Sequence, residues 1–293
     1  LPARPQLGRR VALHDGGMTR PDRVALATMH GKEAAIAPPL ARLGIAVIVP
    51  PSLDTDRFGT FSGEIARTGT MLDAARAKAD AAMEATGLPV AIASEGSYGP
   101  HPVIPLLARG QELMLWRDRR SGQEIVETLI DDAPAFDTAT VTDLAGADAF
   151  LSRIGFPDVA VVIAAAQMPQ NPIAKGVRDR DEIAATVGRL ARVGPVLLAT
   201  DMRAHMNRRR METIARLSER FAERIARPCP VCAAPGWGVL RVEPGLPCAA
   251  CGTPTPVARG EVFGCTACGT TRFVARADGR TEADPGHCVL CNP

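Results

Sequence analysis

Eight cysteines, all between Cys229 and Cys291, fall as four C-x-x-C pairs: Cys229/Cys232, Cys248/Cys251, Cys265/Cys268 and Cys288/Cys291. Two such knuckles supply four thiolates, the donor set of a closed tetrahedral zinc site, so eight cysteines predict two structural zinc ions. Iron–sulfur or thioredoxin-like redox chemistry are the other readings of the same spacing. Glycine or proline accompanies each knuckle (Pro230, Pro247, Gly252, Gly264, Gly269, Gly286, Pro293), as tight turns around sulfur require. Spacing alone leaves open which knuckle pairs with which. His287, beside Cys288, reads as a turn residue or a hydrogen-bonding neighbour, since thiolates suffice without it.

Zinc ribbons often grip nucleic acid, and the charge of this segment tests that. From Cys229 onward five arginines face five acids, and two four-thiolate zinc sites bring the segment to about −4 and the formal +2 of the chain to about −2. Phosphate backbones want the opposite sign. A protein partner is therefore favoured over nucleic acid for this segment.

Upstream of the cysteines, three polar clusters follow apolar runs. They are Thr28-Met29-His30-Gly31-Lys32-Glu33, Ser94-Glu95-Gly96-Ser97-Tyr98-Gly99-Pro100-His101 and Asp201-Met202-Arg203-Ala204-His205-Met206-Asn207. Ligand crevices of open α/β sheets lie at such strand ends, so convergence would place Lys32, Glu95, Arg203, His205, His30 and His101 in one pocket. Lysine is scarce, with only Lys32, Lys78 and Lys175 against 31 arginines, which makes each lysine worth locating. Arg208, Arg209 and Arg210 open a helix whose macrodipole they oppose, a placement eased by a bound anion. The plainer readings are a glycine-rich turn for Glu95, loop histidines, and a solvated arginine face.

Positioning these groups requires alternating strands and helices. Strands are predicted at 23–28, 45–49, 89–94, 112–117, 123–129, 159–166 and 195–200. Helices are predicted at 31–43, 70–86, 143–154, 179–192 and 207–226, with Thr70 and Asp73 forming a capping box and Asn207 a cap. Asp118 to Gly122 reads as the turn of an antiparallel hairpin. The chain thus divides into an extension over 1–20, in which Met18 could be a natural start, an α/β domain over 21–227 and a zinc-ribbon domain over 228–293.

Taken in order, the clusters resemble the inosine triphosphate pyrophosphatase-like fold. Thr28 to Glu33 is similar to that family's Thr-Asn-Lys-Glu loop, one residue shorter and with His30 in place of asparagine. Thr68-Gly69-Thr70 leading to Lys78 is similar to its Thr-Gly helix start, and Gly87-Leu88-Pro89 followed by Ser94-Glu95-Gly96-Ser97 to its acid-bearing strand end. Arg203, His205 and Arg208 loosely resemble its closing Ser-His-Arg motif. Ala66-Arg67 replaces its acid pair, and Glu64 stands nearby.

The resemblance implies a mixed sheet with flanking helices, a homodimer, and magnesium-dependent hydrolysis of a nucleoside triphosphate. Glu95 and Glu64 would hold magnesium, Lys32, Lys78, Arg203 and Arg208 would meet phosphates, and Thr28, His30, Ser94, Ser97, His101 and His205 would complete the substrate site. The whole chain also resembles a bacterial family of unknown function. A nucleotide-binding sensor or adaptor that acts through its zinc ribbon is the alternative, and a histidine-ligated metal site built from His30, His101 and His205 is a third reading. No apolar run approaches the roughly 18–20 residues that span a bilayer and the N-terminus lacks the order of a signal peptide, so the expectation is a cytoplasmic protein without membrane contact.

Overall fold

A computed structural model describes residues 20–51, 53–59 and 67–293, and Glu64 lies outside them. The capping signals operate as read. Thr70 Oγ1 accepts from Asp73 N at 3.2 Å and the Asp73 carboxylate accepts from Thr70 N at 3.0 Å, closing the start of a helix over Met71–Thr86. Asn207 Oδ1 accepts from Arg210 N at 3.0 Å and starts another over Arg208–Ala226. Each cap satisfies amides that the first helical turn leaves open.

Within Pro21–Ala226, one compact unit, the elements run β1 (Arg23–Ala27), α1 (Glu33–Ala41), β2 (Ala46–Ile48), α2 (Met71–Thr86), β3 (Val90–Pro100), β4 (Ala108–Asp118), β5 (Gln123–Asp131), β6 (Thr138–Val141), α3 (Leu144–Ile154), β7 (Val161–Ala165), β8 (Pro172–Val177), α4 (Arg180–Leu190), β9 (Val196–Thr200) and α5 (Arg208–Ala226). The first sheet has the order β2-β1-β3-β4-β5, with β1 parallel to β2 and β3, and β4 and β5 antiparallel. The second has the order β6-β9-β7-β8 and is antiparallel throughout.

Alternation along the strands decides which side each core occupies. Val24, Leu26, Val90, Ile92, Met114 and Trp116 pack beneath α1 and α5 with Ile36, Leu40, Ile214, Leu217 and Phe221. The opposite face is built from small residues, Ala25, Ala91 and Ala93 against Ala75, Ala79 and Ala82 of α2, so that helix can lie close to the strands. In the second sheet Val161, Ile163, Val196 and Leu198 bury against Phe150, Leu151, Ile183 and Val187 of α3 and α4.

One difference from the sequence reading shapes the site. The polar run after Ser94 reads as a loop, yet Glu95 to Pro100 continue β3 and pair residue by residue with β4, from Glu95↔Leu113 to Pro100↔Ala108. Cross-strand hydrogen bonds hold a segment whose composition alone suggests a turn.

The same extension brings Gly96 beside a buried ion pair. Arg210 Nε donates to Glu112 Oε1 at 2.7 Å with both side chains sealed from solvent, and the Tyr98 hydroxyl donates to the same oxygen at 2.8 Å. A Cβ on Gly96 would stand 2.6 Å from the Arg210 guanidinium and 2.7 Å from the Glu112 carboxylate, so the pair fits only because that position lacks a side chain. Burial, with the Glu112 charge beside it, pushes the Tyr98 phenol well above its ordinary value and keeps it a donor.

Arg227–Pro293 belongs to a second compact unit. It carries β10 (Gly238–Pro244), β11 (Ala258–Gly264) and β12 (Thr271–Ala275) in one antiparallel sheet. Among the described residues the fold is thus mixed α/β with three sheets and five α-helices, and none of those helices is long and apolar enough to cross a membrane.

Replacing Glu112 with alanine strands the Arg210 charge in the core. The expected cost is about 3–5 kcal/mol of unfolding free energy by urea denaturation. A loss near zero would show that the pair contributes little to this fold.

Candidate functional site

Where β1 ends beside the middle of β3, Gly31 turns the chain at φ +69° and α1 begins. No side chain caps that helix start, and Lys32 sits at its N-cap, buried. Lys32 Nζ donates to the Ser94 carbonyl at 3.0 Å and lies 3.5 Å from Ser94 Oγ. Burial, reinforced by the Arg210 charge, lowers the Lys32 ammonium to about 8. The Ala34 and Ala35 amides of the first turn donate to the Gly31 and Lys32 carbonyls, at 3.3 and 3.0 Å, so Lys32 is the group that an anion would meet at this helix start.

The pocket around it is lined by Thr28, Met29, His30, Thr55, Asp56, Gly59, Arg67, Lys78, Ser94 and Glu95. Lys78 reaches up from α2 to form an ion pair with Glu95 Oε1, and Arg67 Nη2 stands 3.3 Å from Glu95 Oε2 while donating to the Gly96 carbonyl at 2.7 Å. His30 Nε2 meets Asp56 Oδ1 at 3.0 Å, and its ring stacks on that of His205 with centroids 5.2 Å apart. Burial lowers both histidines below their ordinary value, for His205 with the His30 ring as the next cause, so both are neutral at neutral pH. Three cations, Lys32, Lys78 and Arg67, therefore face two carboxylates.

Among the described residues, which exclude Glu64, the donors do not make a site for the divalent cation that the family resemblance implies. Both Glu95 oxygens face cations, and outside the cysteines the described residues hold no group of three metal-ligating side chains. His30 and His205 come together, but His101 is spent in the β3–β4 turn, where its Nδ1 accepts from Val103 N and Ile104 N. Ser97 faces solvent on β3. Arg208 is an exposed helix residue held by Asp158 at 3.3 Å and Glu212 at 3.2 Å.

Arg203 lies instead on the wall of a neighbouring cavity of about 170 Å³ between the two sheets. Asp201 holds its guanidinium at 2.6 Å. The cavity uses the face of the second sheet that α3 and α4 leave open: Val162 and Ala164 of β7, Leu197 and Ala199 of β9, with Phe136, Tyr98 and Lys175 at its edges. Sequence reasoning missed Arg67, Asp56, Glu112 and Tyr98 as partners. The one available signal for Arg67 was its place directly before the Thr68-Gly69 step.

The cysteines form two groups, Cys229/Cys232/Cys265/Cys268 and Cys248/Cys251/Cys288/Cys291, each with its sulfurs within 4.8 Å of one another. Knuckles one and three share a site, and so do two and four. Sulfur pairs lie 3.7 Å (Cys229–Cys268), 3.7 Å (Cys232–Cys265), 3.9 Å (Cys248–Cys291) and 3.6 Å (Cys251–Cys288) apart. A tetrahedron with metal–sulfur bonds of about 2.3 Å sets its corners about 3.8 Å apart, so each group could hold one zinc ion.

All four knuckles share one turn. The fourth residue after the first cysteine donates back to that cysteine's carbonyl, at 3.0 Å from Ala233, 2.8 Å from Gly252, 2.9 Å from Gly269 and 2.8 Å from Asn292. Gly252 and Gly269 take positive φ there, and Ala233 does so at +59° despite its Cβ.

A family model described as a domain of unknown function (DUF6671) matches residues 78–293, and the chain belongs to that family. No curated protein and no solved structure matches it significantly.

Metal analysis should find two zinc ions per chain, and removing them with a chelator should unfold the β10–β12 unit, read as loss of its amide protection from hydrogen exchange. Protection that survives chelation would show that the cysteines are not its staples. Ala233→Gly relieves a left-handed alanine and should stabilise the unit by up to about 1 kcal/mol in denaturant titration, whereas destabilisation would contradict the strain argument.

Proposed function

We propose that this protein binds a phosphorylated small molecule, a nucleotide, with its phosphates at the head of α1 and its ring in the cavity between the sheets. The observation that carries this reading is the convergence of Lys32, Lys78 and Arg67 on one pocket beside an uncapped helix start. Two of the three lysines of a chain that otherwise uses arginine meet there. The cavity that Arg203 lines has ring-sized room, since a cavity of about 150 Å³ holds benzene, and its walls are mainly apolar with Arg203 and Lys175 among them.

Metal-dependent pyrophosphohydrolysis is the second reading, favoured by the likeness of the Lys32, Lys78 and Glu95 segments to the inosine triphosphate pyrophosphatase-like fold. It asks Glu95 to serve a metal while two cations hold it, which is why binding without turnover comes first. As a sensor or adaptor the protein would report its ligand through the zinc ribbon, whose exposed Val231, Val289 and Leu290 suit a protein surface better than nucleic acid.

Isothermal titration with ordinary and deaminated nucleoside triphosphates, beside a pyrophosphate-release assay, tests both readings. Micromolar binding without release is the expected result, and release lost in Glu95→Gln would favour the enzyme instead. Lys32→Ala should weaken binding at least tenfold, the loss of about 1.4 kcal/mol or more expected for a charge-assisted phosphate contact. Titration of Lys32 sets the pH dependence. Its charge is present below about 8 and lost above, so affinity should fall as pH rises through that value, and Lys32→Arg should abolish the fall. Absence of any nucleotide binding to the wild-type protein would refute the proposal.

A further inference from the structure

The cations of the polar pocket already have an anion, and the protein supplies it. Glu95 is 4% exposed on the α2 face of β3, with Lys78 at one carboxylate oxygen and Arg67 3.3 Å from the other. Arg67 is anchored a second time by the Gly96 carbonyl, so it stays at the pocket whatever Glu95 does. Lys32 differs, because among the described residues its hydrogen bonds go to the Ser94 carbonyl and hydroxyl and to no carboxylate. A carboxylate bracketed by two cations is a poor ligand for a third, since a divalent ion there would meet positive charge on both sides. For an incoming phosphate the same arrangement is an exchange of one anion for another.

We propose that Glu95 is an internal competitor of the ligand's phosphate: its carboxylate holds Lys78 and Arg67 until a phosphate takes them, and the pocket binds its anion without a divalent metal. The proposal rests on the phosphate reading of this pocket. Lys32 makes the first contact, being the one of the three cations with no ion pair to give up among the described residues, and Lys78 and Arg67 follow by exchanging Glu95 for the ligand. Glu95 thereby sets affinity downward while keeping both side chains aimed at the site when it is empty.

Titration of the full-length, zinc-loaded protein with inorganic tripolyphosphate, in buffer stripped of free divalent ions and again with magnesium added, gives the test. Expected are binding in the stripped buffer, no tighter binding when magnesium is added, and about tenfold tighter binding by Glu95→Gln, which keeps the side chain's shape and removes its charge. Manganese should remain free in the electron paramagnetic resonance spectrum of the wild-type protein. Binding that requires magnesium, manganese immobilised by the wild-type protein, or equal or weaker binding by a folded Glu95→Gln would each overturn the proposal. The magnesium and manganese measurements need no variant, so a misfolded Glu95→Gln would not shield it. Tripolyphosphate that binds neither protein in either buffer would instead bring down the phosphate reading itself.

Discussion

A single charge pair, Arg210 with Glu112, ties the first sheet to α5 and to the segment after β9. Arg210 is the third residue of α5, and through its guanidinium it reaches Glu112 on β4 and the carbonyl of Met202 in the segment that carries Arg203 and His205. Tyr98 closes the arrangement from β3, its ring 5.3 Å from the guanidinium carbon. Buried charges are costly unless every partner is in place, so the pair constrains the approach of α5, the length of β3 and the course of the loop after β9 together. Lys32 feels the pair as well, since the Arg210 charge helps lower its ammonium.

Much of this is legible in the sequence, and the parts that are not have physical reasons. Helix starts were readable because a cap is a local bargain among three or four residues, as at Thr70 with Asp73 and at Asn207. The strands missed in the second sheet, β6 and β8, are its two edges, where half the ladder faces away from the sheet and sequence need not be strongly apolar. β8 carries a proline, a lysine and a glycine within six residues, a composition tolerated at an edge that gives little strand signal in the sequence.

The candidate site divides along the same line. Lys32 and Lys78 stood out as rare residues, and Glu95 as an acid at a strand end, so the lining was partly visible in the sequence. What it could not supply is partnership. That Arg67 and Lys78 share Glu95, that His30 leans on Asp56, and that Arg203 belongs to the neighbouring cavity are facts of distance between segments far apart in the chain. The knuckles are the extreme case, because four identical spacings carry no information about which pairs meet.

That alternation of knuckles has a consequence for how metal is acquired. Closing Cys229/Cys232 onto Cys265/Cys268 draws in the intervening Cys248/Cys251 knuckle and shortens the free span to its own partners. Because the entropy of closing a loop grows with the length left free, a first ion held by one group would lower the cost of capturing a second. Each doubling of a free loop costs only about 0.6 kcal/mol, so the gain would be a few tenths of a kcal/mol. The two sites would fill with a slight mutual preference, and half-charged molecules would persist under zinc scarcity.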